Sequence, residues 1–472
     1  MADPDFAIDP AAGDRAAAHL SKLVRFKTVA AWRPDPADPS EAEGQAEFEL
    51  QIEALREFYP LVHEQLGLER VGRAGLLYRW AGSAAAEPGR PAQRVLVLLA
   101  HLDVVPVDPD APWQQPAFSG VLQDGYLWGR GTLDDKGSAV AILTAVEALL
   151  GTGFTPSHDV YLSFGGDEET GGLDALAAME LLRARGVRPW LVLDEGGAVA
   201  EQAFPGVARP VAMIGVAEKG SVNVRMSAVD PGGHSSTPPK LTATARLARA
   251  ISRVSRNPFP PALHPATAQM VQVLAANMSG PQRHLLGRAQ QLGWLLARIF
   301  PFFGPEANAS VRTTAAVTQL SGSRAANVLA EAASATVNVR IAPGSSVAET
   351  LRRLRRAVRD PLVEFEVFES SEPSPVSPTD NRQFGLLTAA VRRVFPDAAV
   401  APYIVMAMTD SRRFNEISPA VYRFAPFRMD AAARASLHAA NEKISVATLA
   451  EGVAFYRALL VLCEQADDGD PA

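Results

Sequence analysis

The stretch Arg94–Asp103, Arg-Val-Leu-Val-Leu-Leu-Ala-His-Leu-Asp, constrains the fold of this chain more than any other. It starts as an unbroken run of β-branched and long aliphatic side chains, the pattern of a strand buried on both faces of a sheet. The run stops at His101 and Asp103. Residues two apart on an extended backbone point to the same side. An imidazole and a carboxylate therefore leave the carboxyl end of a buried strand together, where open α/β sheets hold their chemistry. A single pair of this kind decides little, because a His after a strand is more often structural than functional. The rest of the chain has to supply partners for it.

It does so at two further strand ends. Asp159–Phe164 reads as a second buried strand and runs into Gly165-Gly-Asp-Glu-Glu-Thr. Trp190–Leu193 reads as a third and runs into Asp194-Glu195. Between the first two lies Trp128-Gly-Arg-Gly-Thr-Leu-Asp-Asp-Lys-Gly137, which carries Asp134 and Asp135 and precedes an Ala-rich helix over 138–150. A helix over 173–185 follows the second strand. The order strand, loop, helix, strand, helix, strand predicts a mixed or parallel α/β sheet. Four acidic clusters converging on the dry end of one sheet would repel strongly. A pair of divalent metal ions between them is the economical remedy; zinc suits histidine-plus-carboxylate sites, and manganese and cobalt remain open. The only cysteine is Cys463, so neither an intrachain disulfide nor a cysteine-built metal site is expected.

The pattern changes near Ala212. Gly220–Val229, Thr313–Leu320 and Ala333–Ile341 alternate apolar and polar, as strands with one exposed face do, and helices are expected over 241–253 and 347–358. From about Pro373 the first style resumes, with a helix over 382–394, a strand at 403–406 and a last helix over 446–463. A chain of 472 residues exceeds one ordinary core. The reading is therefore a catalytic domain over 1–212 and 373–472, split by a smaller α+β lid over 213–372. Residues 31–40 and 84–92 read as loops and the acidic end after Glu464 as unstructured.

In order along the chain stand His101-x-Asp103, Gly129-Arg-Gly-x-x-Asp134-x-Lys136-Gly, Asp167-Glu168-Glu169, Asp194, Gly232-Gly-His234-Ser-Ser and His438-x-x-Asn441-Glu442. Together they resemble the M20 metallopeptidase family, which includes glutamate carboxypeptidases, aminoacylases, carnosinase-like dipeptidases and succinyl-diaminopimelate desuccinylases. The resemblance runs from about residue 95 to the last helix. Asn327-Val-Leu, Val337-Asn-Val-Arg340 and Thr409-Asp-Ser-Arg412 look most like the carboxypeptidase S branch, which also holds N-acyl amino-acid amidohydrolases.

The resemblance implies a mixed-sheet zinc-peptidase domain with an inserted lid of the dimerisation type, and a role for each motif residue. Asp134 would bridge two metals, with His101 and Asp194 completing one site and Glu169 and His438 the other. Glu195, next to Asp194, is the alternative ligand. Asp103 would hold the His101 ring. Glu168 would be the general base that takes a proton from a water between the metals and hands it to the leaving amine. His234 would steady the oxyanion, in some relatives at the site of a partner subunit, so a homodimer is open. Arg340 and Asn327 would hold a substrate carboxylate. Asp135 replaces the family's usual Met and reads as a solvated loop acid or a helix N-terminal charge. The implied activity is hydrolysis of an amide bond in a small substrate with a free carboxylate, by a carboxypeptidase or dipeptidase. An N-acyl amino-acid amidohydrolase or a non-catalytic binding homologue is the alternative.

A net charge of −7 argues against nucleic acid as the main partner. No run is read as reaching the roughly 18 apolar residues of a membrane span, and a cytoplasmic enzyme is the default. The apolar insertion over 283–303 reads as core of an enlarged lid, with a wall for an acyl group and a peripheral membrane contact as its other readings.

Overall fold

The computed structural model describes residues 7–30, 39–83, 94–202, 204 and 206–465. The loop read at 84–92, residues 31–38 of the loop read at 31–40 and the acidic end beyond 465 lie outside them; the last two residues of the first loop instead open the helix Pro39–Phe58. A ten-stranded mixed sheet forms the body. Leu96–His101 is buried at every position and lies between Val160–Gly165 and Leu191–Asp194, both parallel to it. Val421–Arg423 continues the parallel set beside Leu191–Asp194. Both faces of these strands are covered, which is why their sequences are continuously apolar. Leu96, Leu98 and Ala100 belong to a core shared with the helices Pro10–Leu23, Lys136–Gly151 and Val446–Gln465. Val97 and Leu99 belong to a second core, under the helix Leu173–Ala184 and the 3₁₀ helix Asp410–Glu416.

The helix Val446–Gln465 corrects one expectation. By length and composition it could cross a membrane, yet 67% of its apolar window is buried in the molecule. Leu449, Val453, Phe455 and Leu459 sit in the main core, so its hydropathy is that of a central core helix.

A second, four-stranded antiparallel sheet has the order Thr314–Ser321, Ala332–Ile341, Gly220–Val229, Glu364–Ser371. Val222, Val224 and Met226 join Val337, Val339 and Ile341 under Leu247 and Leu354 of two helices, Ala243–Arg256 and Val347–Val358. The period-two pattern thus marks one covered face. Glu364–Ser371, Glu-Phe-Glu-Val-Phe-Glu-Ser-Ser, has no counterpart in the sequence reading, although its start alternates polar and apolar; it pairs with Gly220–Val229 as the far edge of the sheet.

The two sheets part at Lys219, later than the boundary read at 212. Val211–Glu218 is wholly buried and pairs with Ala399–Val405 and Val421–Arg423 in the large sheet. The insertion also lies elsewhere than expected. Leu296 and the helix residues Met270, Val271 and Leu274 form a cluster with Val211, Met213 and Ala401, so this excursion packs on the large sheet and not inside the lid core.

A small third sheet positions the site. The hairpin Val121–Gln123/Tyr126–Trp128 turns at Asp124 and Gly125, both with positive φ, as a tight two-residue turn requires. Lys443–Ser445 pairs with Tyr126–Trp128 and so brings the end of the chain against the loop that carries Asp134.

Candidate metal centre

His101 ends the central strand with its ring buried. Nδ1 lies 3.0 Å from the Asp103 carbonyl oxygen and 3.3 Å from its carboxylate. With that side of the ring held, Nε2 faces Asp134, 2.9 Å from Oδ1. The other Asp134 oxygen lies 2.9 Å from Nε2 of His438, which is also 3.1 Å from Oε1 of Glu169. One carboxylate therefore stands between two imidazoles that come from opposite ends of the chain. Three groups of ligand atoms close enough to share an ion overlap here: His101, Asp134 and Glu195; Asp134, Glu169 and His438; and His101, Glu168 and Glu169.

Asp103 also orders the neighbouring loop. Its Oδ1 accepts the Glu168 amide at 3.2 Å and its Oδ2 the Glu169 amide at 3.1 Å. The residue that aims His101 thus fixes the backbone of both glutamates. At Gly165, which opens this loop, a Cβ would stand 2.6 Å from a carboxylate oxygen of buried Asp410, so that side chain would have to shift.

The Asp134 loop is held by a residue whose role the sequence reading did not assign. Glu442, fully buried, accepts the amides of Leu133 and Asp134 through Oε1, and Arg130 donates to its Oε2 at 2.6 Å. Arg130 also donates to the Ala439 carbonyl. Asn441 accepts the Gln114 amide and donates to the Pro112 carbonyl. The Asn441-Glu442 end of the last motif is therefore a clamp between two loops, whose partners Arg130, Gln114 and Pro112 lie far away in sequence. Lys136 points away from the site and donates to the carbonyls of Leu23 and Phe26.

Two expectations are corrected. Asp194 does not join the ligand groups; Glu195 does. Asp194 shares the face of Val192, over which the 3₁₀ helix Asp410–Glu416 packs, and its oxygens accept the Ser411 and Glu195 amides at 2.7 and 2.9 Å. Asp135 is not solvated. It is fully buried, accepts the His101 amide at 3.3 Å and makes no side-chain cap on the helix it precedes.

His234, Asn327 and Arg340 come from the segment between the two parts of the large sheet. His234 is exposed, with Nδ1 2.7 Å from the Ser236 hydroxyl. A short ribbon pairs Gly233–His234 with Val328–Leu329, and the Ser235 amide donates to the Asn327 carbonyl, so His234 and Asn327 are neighbours. Arg340 lies half-buried on Ala332–Ile341, opposite Ser221 and Thr314. None of the three belongs to the ligand groups among the described residues. Thr409 and Ser411 are buried and bond to Glu218, itself paired with buried Arg423 at 2.6 Å, so they brace the sheet end.

The electrostatics are those of a crowd of carboxylates. Burial pushes Glu168 well above the usual range; the charge of His101 opposes this, and Asp410, Glu169 and Asp103 reinforce it. Burial and the negative charges of Asp134 and Asp135 push Glu195 up as well. Burial also acts to raise Asp134, but its bonds to His101 and His438 hold it below the ordinary value. The same bonds, to Asp134 and Glu169, raise His438 to about 10. Such a set of imidazole nitrogens and buried carboxylate oxygens suits divalent cations, which neutralise the repulsion and accept these ligand types.

The model of peptidase family M20/M25/M40 matches residues 97–461. A Dictyostelium discoideum protein named "Probable carboxypeptidase S-like 2" is 34% identical over 94% of this chain and 84% of its own. The human protein named N-fatty-acyl-amino acid synthase/hydrolase PM20D1 is 38% identical over 81% of this chain and 76% of its own. Among solved structures, the M20 family metallo-carboxypeptidase Sso-CP2 from Sulfolobus solfataricus superposes with a TM-score of 0.68 at 17% identity, covering 95% of this chain and 98% of that one. Human carnosine dipeptidase 1 superposes with a TM-score of 0.64 at 16% identity, over 96% and 97%.

Proposed function

The chain belongs to peptidase family M20/M25/M40, the metal-dependent hydrolases, and from that premise we propose that it cleaves the amide bond of N-acyl amino acids. The observation that carries the hydrolytic reading is Asp134, whose two oxygens face two different histidines while Glu168 stands beside the same cluster. The choice of N-acyl amino acids over dipeptides is supported by the activity in the name of the human relative, N-fatty-acyl-amino acid synthase/hydrolase.

His101, Asp134 and Glu195 would hold one metal ion, and Asp134, Glu169 and His438 the other, with zinc the best fit to this ligand set. When bound, the pair supplies Lewis-acid polarisation and a lowered pKa for water. Glu168 takes a proton from the attacking water and delivers it to the leaving nitrogen. Burial raises its carboxyl, the direction that helps a general base to hold the proton it takes. Asp103 keeps Glu168 in place through the backbone and keeps the His101 ring turned toward Asp134. Arg340 and Asn327 are the proposed partners of the substrate carboxylate, and His234 the proposed partner of the oxyanion.

Glu168→Gln tests the mechanism. We expect kcat to fall by about a thousandfold with the metal content unchanged; undiminished turnover would overturn the assignment. A panel of dipeptides and N-acyl amino acids, run on enzyme reconstituted with zinc, tests the substrate class. Faster turnover of the dipeptides would replace the N-acyl reading with a peptidase.

A further inference from the structure

The excursion that packs on the large sheet presents an outer face that the hydrolytic site does not use. In the helix Gly293–Ile299 and the 3₁₀ turn Phe300–Phe303, the buried side is Leu296 and Ala297 with Phe300 partly covered. The opposite side carries Trp294, Arg298 and Phe302, four residues apart and hence in one stripe. Trp294 is 64% exposed, Phe302 87% and Phe303 74%, values at which burial in this chain's own core cannot explain three large aromatics. Arg298 donates to the Trp294 carbonyl and lies over its ring at 5.8 Å, so the cation and the aromatic form one surface. Just before this stretch in the chain, the helix Gln282–Leu286 exposes Arg283 and Leu285, and Arg288 after that helix is exposed as well.

Charge selects the occupant. The chain as a whole has a net charge of −7, yet from 231 to 305 it contains no Asp or Glu. An acid-free segment that exposes Trp and Phe beside Arg matches the interface of a bilayer with anionic headgroups, where aromatic rings sit at headgroup level and guanidinium groups meet phosphate or carboxylate. A neutral apolar partner protein would gain nothing from the missing acids. We infer that residues 283–303 form a peripheral docking surface for an anionic lipid membrane, with Trp294, Phe302 and Phe303 inserted and Arg283, Arg288 and Arg298 on the headgroups.

Sedimentation with vesicles tests this on the full chain. The protein is expected to pellet with vesicles of phosphatidylcholine containing one part in three phosphatidylserine, to pellet less with phosphatidylcholine alone, and to be released by high salt. The triple variant Trp294→Ser/Phe302→Ser/Phe303→Ser should lose binding to the mixed vesicles by more than tenfold. Arg283→Gln/Arg288→Gln/Arg298→Gln should bind both vesicle types equally weakly. All six side chains are exposed, so thermal melting of the variants should match the parent; melting also separates loss of the surface from loss of the fold. A parent protein that stays in the supernatant with anionic vesicles, or an aromatic variant that pellets like the parent, would overturn the proposal.

Discussion

At the scale of single residues, the site turns on which of two adjacent acids faces the cluster. Asp194 ends its strand on the face of Val192 and is consumed by the amides of Ser411 and Glu195. Glu195 is one residue further, past the last regular pairing, and its longer side chain reaches His101 and Asp134. Sequence order favoured the first acid after the strand; the alternation of faces favours the second, and the face of Asp194 became visible only once Phe414 was seen covering it. The difference has a measurable consequence. Glu195→Gln should lower the bound metal, read by elemental analysis after desalting, from two ions per chain toward one. Asp194→Asn should retain both ions and instead destabilise the fold by about 1–3 kcal/mol, because one buried amide loses its acceptor. Equal metal loss in both variants would return Asp194 to the ligand set. His101, Asp134, Glu169 and His438 were legible from the sequence because each stands in a motif with fixed neighbours, and the structure brings all four together.

At the scale of elements, strand ends were readable and loop supports were not. The three strands that open the sheet, and the acids that follow them, are local patterns: an apolar run and then a charge. The clamp on the Asp134 loop is made by Arg130 and Glu442, far apart in sequence, and no local period reveals it. Similarly, the excursion through Leu296 reads as apolar from its composition, but only the uncovered flank of Val211–Glu218 and Ala399–Val405 determines where it packs. The clamp predicts its own failure. Both partners are almost fully buried, at 3% and 0% exposure. Glu442→Gln leaves the Arg130 guanidinium without its countercharge, and we expect a loss of about 3–5 kcal/mol in denaturant unfolding. Adding Arg130→Met to that variant should recover part of the stability but not the activity, since the amides of Leu133 and Asp134 keep an acceptor that no longer carries charge. Full recovery of turnover in the double variant would show that Glu442 serves stability alone.

At the scale of the whole molecule, the ligand groups all come from the body with the large sheet, and the candidate residues His234, Asn327 and Arg340 lie outside those groups among the described residues. His234 is exposed to solvent beside Asn327 and is not a member of the ligand groups. Thr314–Ser321, at the edge of the four-stranded sheet, pairs on one side only among the described residues and is largely exposed. An unpaired edge of that length is a ready surface for a second copy. These facts favour His234 acting on the site of a partner chain. His234→Ala and Glu168→Ala should each be inactive alone. Mixed in equal amounts after dissociation and reassembly, they should regain about a quarter of the parent activity, because half of the randomly formed dimers are hybrid and each hybrid has one intact site. Activity that stays at the level of the separate variants, in a mixture shown by cross-linking to contain hybrids, would place the action of His234 within its own chain.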